Sequence, residues 1–308
     1  MLFVKKAVGV EIDHSGVKMA LVGGKAEAPR LDSWQAAAFP PDAVRFSHKD
    51  LNILNPAAFV ATVKDCHLRL LSSNARISLS LPDSIGKVIL VELETRLKNK
   101  EEGADIIRWK LKKNFPVDVL EAQLDYQVLR ENEAGGIVVL TSLIARQVVN
   151  QYEELLLQAG LQPSVIDFTT FNLSGLLARR LELSENAALI MYCGNILSIQ
   201  IYRDGILDFF RSKDFHGGTL EMPKLFREIN SSLLVYREQR NGQKLKEVFY
   251  LAFPDESESL RNIILEATGL EPLSVDLDRL IARAGGVALD RKTLINMAAA
   301  VGAAARNL

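Results

Sequence analysis

The segment GVEIDHSGVKMALV, residues 9–22, decides the fold. Val8, Val10 and Ile12 alternate toward the turn Asp13-His14-Ser15-Gly16, and Val17, Met19 and Leu21 alternate away from it, which is the pattern of an antiparallel hairpin. Glu11 and Asp13 place two acids beside a turn of the kind that cradles phosphate, where one acid and a glycine would serve better. The same logic returns in AALIMYCGNILSIQIYRDGILDFF, with strands expected over 188–192, 196–202 and 206–210, the last two joined through Arg203-Asp204-Gly205. The chain therefore opens twice in the same way.

Between the two openings, IVVLTSLIA (137–145) reads as a buried strand. A helix follows, with Val148, Tyr152, Leu155 and Leu156 on one face. Gly160 ends it, Pro163 precedes the strand SVIDF, and a further helix is expected over 173–183. In the second half, Leu225, Ile229, Leu233 and Tyr236 form a helical stripe closed by Gly242, and EVFYLAF (247–253) reads as a strand. Asp255 and Glu258, three apart, have capping-box spacing before Leu260, Ile263 and Ile264, and Gly269 ends that helix. The last helix carries Leu294, Ala298, Val301 and Ala305 on one side, with small residues suited to a tight seam.

Residues 76–136 interrupt this pattern as an insertion: a strand (RISLSLP), a helix over 101–113 with Ile107 and Leu111 paired, and a strand (AQLDYQVL). Asn114-Phe115-Pro116 ends the helix, because the residue before proline is driven out of the helical region. The run from Glu131 to Gly136 is a turn cluster.

Composition narrows the function. The chain has 308 residues, more than one compact core holds, and its 37 basic and 38 acidic side chains leave a net charge of -1. No overall field draws it to nucleic acid or to an anionic membrane surface. Cys66 and Cys193 stand alone, which argues against zinc and against a disulfide framework. No apolar run approaches the ~20 residues of a spanning helix, and the apolar part of MLFVKKAVGVEI is short for a signal peptide. A cytoplasmic protein is expected.

The sequence resembles the PilM family, actin-like proteins of type IV pilus assembly related to the cell-division protein FtsA. The resemblance is carried by the opening hairpin, by IIRWKLKKNFPVDVLEAQLDYQVL, by SLIARQVVNQYEELLLQAGLQPSVIDFTTFNL, by Gly217-Gly218 with REINSSLLVYREQ, and by AAAVGAAAR. It implies an α/β, actin-like (ribonuclease H-like) two-lobed fold with an inserted small α+β subdomain. Residues 1–75 plus 137–184 would form the first half and 76–136 the insertion. The second half would span 185–308, with a helical part at 213–246 and a C-terminal helix, 292–308, packing back on the first half.

In that family each half offers a hairpin turn to nucleotide phosphates. Here Glu11, Ser15, Gly16 and Lys18 remain in the first turn, but Asp13 replaces a glycine and brings a charge that repels a polyanion. In the second turn only Gly194 survives, with Asn195 beside it among the residues that would face a nucleotide, while Tyr192 stands where the acid is expected and Ile196 and Leu197 replace hydroxyl residues. A glycine run that would receive adenosine is replaced by Leu251-Ala252-Phe253-Pro254-Asp255. Gly217 and Gly218 complete the set of residues that would face a nucleotide. With such neighbours Lys18 reads as an exposed strand lysine, His14 as a solvated turn residue and Trp109 as core.

The resemblance thus implies a cytoplasmic scaffold of type IV pilus assembly with a degenerate nucleotide cleft, binding no cofactor or only weak ATP and magnesium. It would be recruited to the inner membrane by docking the N-terminal tail of a PilN-like inner-membrane protein, with no nucleic acid partner. The groove residues are expected among Trp109, Phe115, Val117, Tyr126 and Val128. No catalytic residue and no metal ligand set is assigned. Two other readings stand beside this one: a working actin-like ATPase, with Glu11 on magnesium and Ser15, Lys18 and Gly194 on the phosphates, and a scaffold of a type II secretion-like system.

Overall fold

A computed structural model describes residues 5–112, 119–131, 135–215, 222–240 and 242–308. The chain runs β1 (Lys6–Asp13), β2 (Gly16–Lys25), β3 (Ala28–Ala37), α1 (Pro56–Leu70), β4 (Arg76–Leu81), β5 (Gly86–Leu93), α2 (Lys100–Lys112), β6 (Ala122–Glu131), β7 (Ile137–Ala145), α3 (Arg146–Gln158) and β8 (Gln162–Phe168). It continues through α4 (Thr169–Gly175), α5 (Ala178–Glu182), β9 (Asn186–Cys193), β10 (Ile196–Arg203), β11 (Ile206–Asp214), α6 (Met222–Gln239), β12 (Glu247–Ala252) and α7 (Pro254–Thr268). β13 (Leu273–Ser274), α8 (Leu277–Leu280), β14 (Ala282–Arg283) and α9 (Arg291–Ala305) close it.

The repeat seen in the sequence is a repeat of topology. One sheet has the order β14-β3-β2-β1-β4-β8 and the other β11-β10-β9-β12-β13. In each, three antiparallel strands lead into two parallel ones, since β1 pairs antiparallel with β2 and parallel with β4, and β9 pairs likewise with β10 and β12. Strand alternation divides the residues between cores. Val8, Val10, Ile12, Val17 and Met19 face a core with α1 and α3, and Ile190, Tyr192 and Ile199 face one with α6 and α7.

The other faces of the two sheets turn toward each other, with α9 between them. Eleven residues of α9 are buried, and its core joins Ala7, Ala20 and Val22 of the first sheet to Leu189, Met191 and Leu251 of the second. The contact is backbone on backbone. A Cβ on Gly9 would lie 1.9 Å from the Ala300 carbonyl oxygen, and one on Gly302 would lie 2.0 Å from that of Asn172. Both close approaches are to first-half elements, β1 and α4, so the small residues of this helix are required by its seat on the first half, and its core extends from there to the second sheet.

Strand pairing moves both edges of the expected insertion. β4 belongs to the large sheet, between β1 and β8, and its RISLSL is buried on both faces after the first residue, as a central parallel strand should be. The third sheet has the order β5-β7-β6, so Ile137–Ala145 is the middle strand of the small subdomain and not part of the first half. Its alternating burial fits that place, with Ile137, Val139 and Leu143 facing Ile107 and Leu111 of α2. Pro163 sits in β8, which pairs only with β4 in the large sheet, and an edge strand tolerates the missing N–H. The helix expected over 173–183 is two short ones, α4 and α5. α7 begins at Pro254 in the first turn, with no side-chain cap, so Asp255 is inside the helix and not its cap.

Candidate functional site

The β1–β2 hairpin positions the first group of side chains. Its register sets Glu11 opposite Lys18 and Asp13 opposite Gly16, so the two acids and the lysine share the face that looks toward the second half. Lys18 is not an exposed strand lysine. It is 3% exposed, and its Nζ lies 2.6 Å from Asp13 Oδ2 and 3.3 Å from Glu11 Oε2. The other Asp13 oxygen, Oδ1, accepts both the Ser15 backbone N–H at 2.8 Å and the Ser15 hydroxyl at 2.6 Å.

One cation thus serves one buried acid, Glu11, and one half-buried acid, Asp13, and they divide it unequally. Burial pushes the Glu11 carboxyl up from 4.5 to about 7, and the more distant Lys18 offsets only part of that. Asp13 is also pushed up by burial, but Lys18 and the Ser15 bonds outweigh it and hold the carboxyl below its usual value. For Lys18, burial works against the charge, and Glu11 and Asp13 together raise its pKa above the ordinary value. Near neutral pH the cluster approximates an ionised Asp13, an ammonium and a Glu11 about half protonated.

Across the cleft, the β9–β10 hairpin turns through Gly194 (φ 59) and Asn195 (φ 64), the pair of left-handed residues that a two-residue turn favours. Counting back from each turn, Cys193 corresponds to Asp13 and Met191 to Glu11. Tyr192 points to the other face of the sheet, where its hydroxyl donates to Asn195 Oδ1 at 3.0 Å, so the position facing the cleft is apolar Met191. Burial, then the charges of Glu256 and Glu11, push the Cys193 thiol up to about 12.

These elements enclose a cavity of about 450 Å³ between the halves, floored by Ile295, Asn296 and Ala299 of α9 and bordered by Phe253. Of the residues singled out in the sequence, Glu11, Ser15, Lys18, Gly194 and Asn195 come together here, and Gly16 lies at the start of β2 beside them. Gly217 and Gly218 lie outside the described residues. His14 is exposed in the turn, its ring edge-on to Phe46 at 4.6 Å. Among the described residues no group of three or more His, Cys, Asp or Glu side chains could hold a metal ion.

A second cavity, about 410 Å³, lies between the small subdomain and the two halves. Asp125, Gln127, Leu140 and Ser142 line it from the small sheet, Val165, Ile166 and Asp167 from β8, and Tyr202 and Gly205 from the second half. Tyr126 also borders it, although its ring packs against Gly103 of α2 and its hydroxyl donates to the Asn99 carbonyl. Trp109 is not core: it is 68% exposed on α2, and Val128 is 47% exposed on β6, neither of them lining this groove. Phe115 and Val117 lie outside the described residues.

The family model described as type IV pilus assembly protein PilM matches residues 9–233. The chain belongs to the PilM family. No curated protein matches the sequence. Among solved structures, a PilM-PilN type IV pilus biogenesis complex matches with a TM-score of 0.81 at 18% identity, covering 98% of each chain. A protein of actin-like ATPase fold and unknown function from Bacteroides thetaiotaomicron matches with a TM-score of 0.53 at 10% identity, covering 89% of this chain and 91% of that one. The cytoplasmic domain of EpsL, an inner-membrane component of the Vibrio cholerae type II secretion system, matches with a TM-score of 0.50 at 11% identity, covering 96% and 94%. The fold of this PilM-family chain is therefore actin-like. Among its described residues no helix is long and apolar enough to cross a membrane.

Proposed function

We propose that this chain is a scaffold of type IV pilus assembly that holds the N-terminal tail of a PilN-like inner-membrane protein, and that its interlobe cleft is a degenerate nucleotide site. The observation that carries the second statement is the occupation of the phosphate-facing turn by its own carboxylate. Asp13 takes the Ser15 N–H, the Ser15 hydroxyl and the Lys18 ammonium, which are the donors a phosphate would need. A polyphosphate would have to displace a partly buried ion pair and sit beside its anion, and Phe253, from the stretch where the resemblance expects a glycine run for adenosine, borders the cavity. The residues present do not fit ATP with magnesium.

The tail reading rests on family membership, on the complex formed by the related PilM, and on the groove between the small subdomain and β8. Among the described residues β8 pairs on one side only within its sheet, so an extended segment has backbone donors and acceptors to bind, with Val88 and Leu140 offering apolar contact. A tail held in this way would recruit the chain to the inner membrane through its partner.

Calorimetric titration tests both statements. A peptide of the partner's N-terminal tail is expected to bind and a scrambled peptide to give no heat, while ATP with magnesium gives none in the presence or absence of the tail. Binding of ATP at micromolar strength, about -8 kcal/mol, would overturn the degenerate cleft. Equal binding of the two peptides would overturn the docking role.

A further inference from the structure

The small subdomain meets the second half through a cluster that neither cavity described above includes. Asp208 of β11 has a fully buried carboxylate, and three guanidiniums converge on it. Arg130 of β6 reaches Oδ1 at 2.5 Å, Arg240 at the end of α6 donates from Nε to Oδ2 at 2.9 Å, and Arg203 of β10 lies 3.7 Å from Oδ1. Three cations, each with a side chain no more than 34% exposed, face one buried anion. A further acid, Glu92, is 3.8 Å from Arg240 and 71% exposed, so its charge is largely screened by water. A cavity of about 520 Å³ opens beside the cluster, lined by Arg130, Arg203 and Lys110, with Glu92 and Glu94 as its exposed acids.

A buried carboxylate needs one cation, and Arg240 already donates to Oδ2, while Oδ1 has ion-pair contacts from Arg130 and Arg203 but no well-aligned hydrogen bond. Arg203, at 3.7 Å, adds charge there without adding a close hydrogen bond. A surplus of partly buried positive charge is costly unless an anion offsets it. We propose that the cavity bordered by Lys110, Arg130 and Arg203 is an anion site that takes a phosphate-class dianion, either free phosphate or the phosphate of an anionic lipid headgroup. Guanidinium forks suit tetrahedral oxyanions, and the three cations come from both the small subdomain and the second half, so the ligand would bridge the two. The site is separate from the interlobe cleft, where the Lys18 charge is taken by Asp13 and Glu11.

The test is calorimetric titration of the full chain with inorganic phosphate at constant ionic strength. Saturable binding is expected. It should weaken about tenfold in Arg203→Gln and in Lys110→Met, and stay unchanged in Ser15→Ala, which alters only the interlobe turn. Lys110 makes no contact with Asp208, so its variant tests the site even where a change at the arginines perturbs folding. No saturable heat, binding that persists in both variants, or binding lost in Ser15→Ala would each overturn the assignment. Sedimentation with phosphatidylglycerol vesicles, against phosphatidylcholine alone, separates the sources. Vesicle binding lost in the same two variants supports the headgroup, and phosphate binding without vesicle binding supports the free anion.

Discussion

Replacing Lys18 with methionine keeps the length of the side chain and removes the cation that buried Glu11 and half-buried Asp13 share. At 2.6 Å and an effective dielectric near 20, the attraction between Lys18 and Asp13 is about 6 kcal/mol before desolvation is counted. Breaking a buried pair from one side typically costs ~3–5 kcal/mol. The orphaned carboxylate can escape that cost by taking a proton. Doing so costs about 1.4 kcal/mol for each pH unit above the ordinary Asp value of 3.8, or about 1.6 kcal/mol near pH 5. Without Lys18, Asp13 and Glu11 both have folded-state pKa values above their unfolded ones. The folded chain then binds more protons than the unfolded chain, and stability falls as pH rises through that window. Lys18→Met is therefore expected to destabilise by ~2 kcal/mol near pH 5 and by ~4 kcal/mol near pH 8. Urea unfolding followed by circular dichroism at the two pH values measures this. A loss that is equal at both, or larger in acid, would refute the shared-cation account.

Glu11→Gln should act in the opposite direction. With its carboxyl raised by burial from 4.5 to about 7, Glu11 contributes its stability below the lower value and loses it as pH climbs through the higher one, so the glutamine variant should gain up to ~3 kcal/mol above that range, read as a melting-temperature difference that vanishes in acid. Gly9→Ala would drive a methyl group into the Ala300 carbonyl, and a loss at or above the upper end of the ~1–3 kcal/mol typical of overpacking is expected in thermal unfolding. Asp208→Asn leaves three guanidiniums without their anion. It should cost ~3–5 kcal/mol and raise amide exchange in β6, where Arg130 is anchored, more than in β2.

The hairpin arithmetic was open to reading. A two-residue turn at His14-Ser15 places Glu11 opposite Lys18, and alternation puts both on the face of Asp13, so a shared ion pair follows from spacing alone. The same count places Met191, and not Tyr192, at the second turn's cleft position. What hid the pair was the assumption that a polar strand residue is exposed, which holds for a two-layer sheet but not where a second lobe covers the outer face. Trp109 shows the converse. Its bulk suggests core, but Gly103, Ile107 and Leu111 are the helix residues that meet the small sheet, leaving Trp109 68% exposed.

Local periodicity and turn chemistry by themselves determined that the chain has two hairpin-led halves, a close-packed C-terminal helix, a helix-bearing insertion and an opening turn flanked by two acids. Those are properties of neighbours in sequence, and a 2- or 3.6-residue period records them directly. Only the tertiary structure decided that β4 leaves the insertion and β7 joins it, because pairing between distant strands is chosen by which faces must be covered. It alone brought Arg130, Arg203 and Arg240 to Asp208 and set α9 between the lobes. Charge convergence over long sequence separations has no period, and it exists only once the lobes have packed.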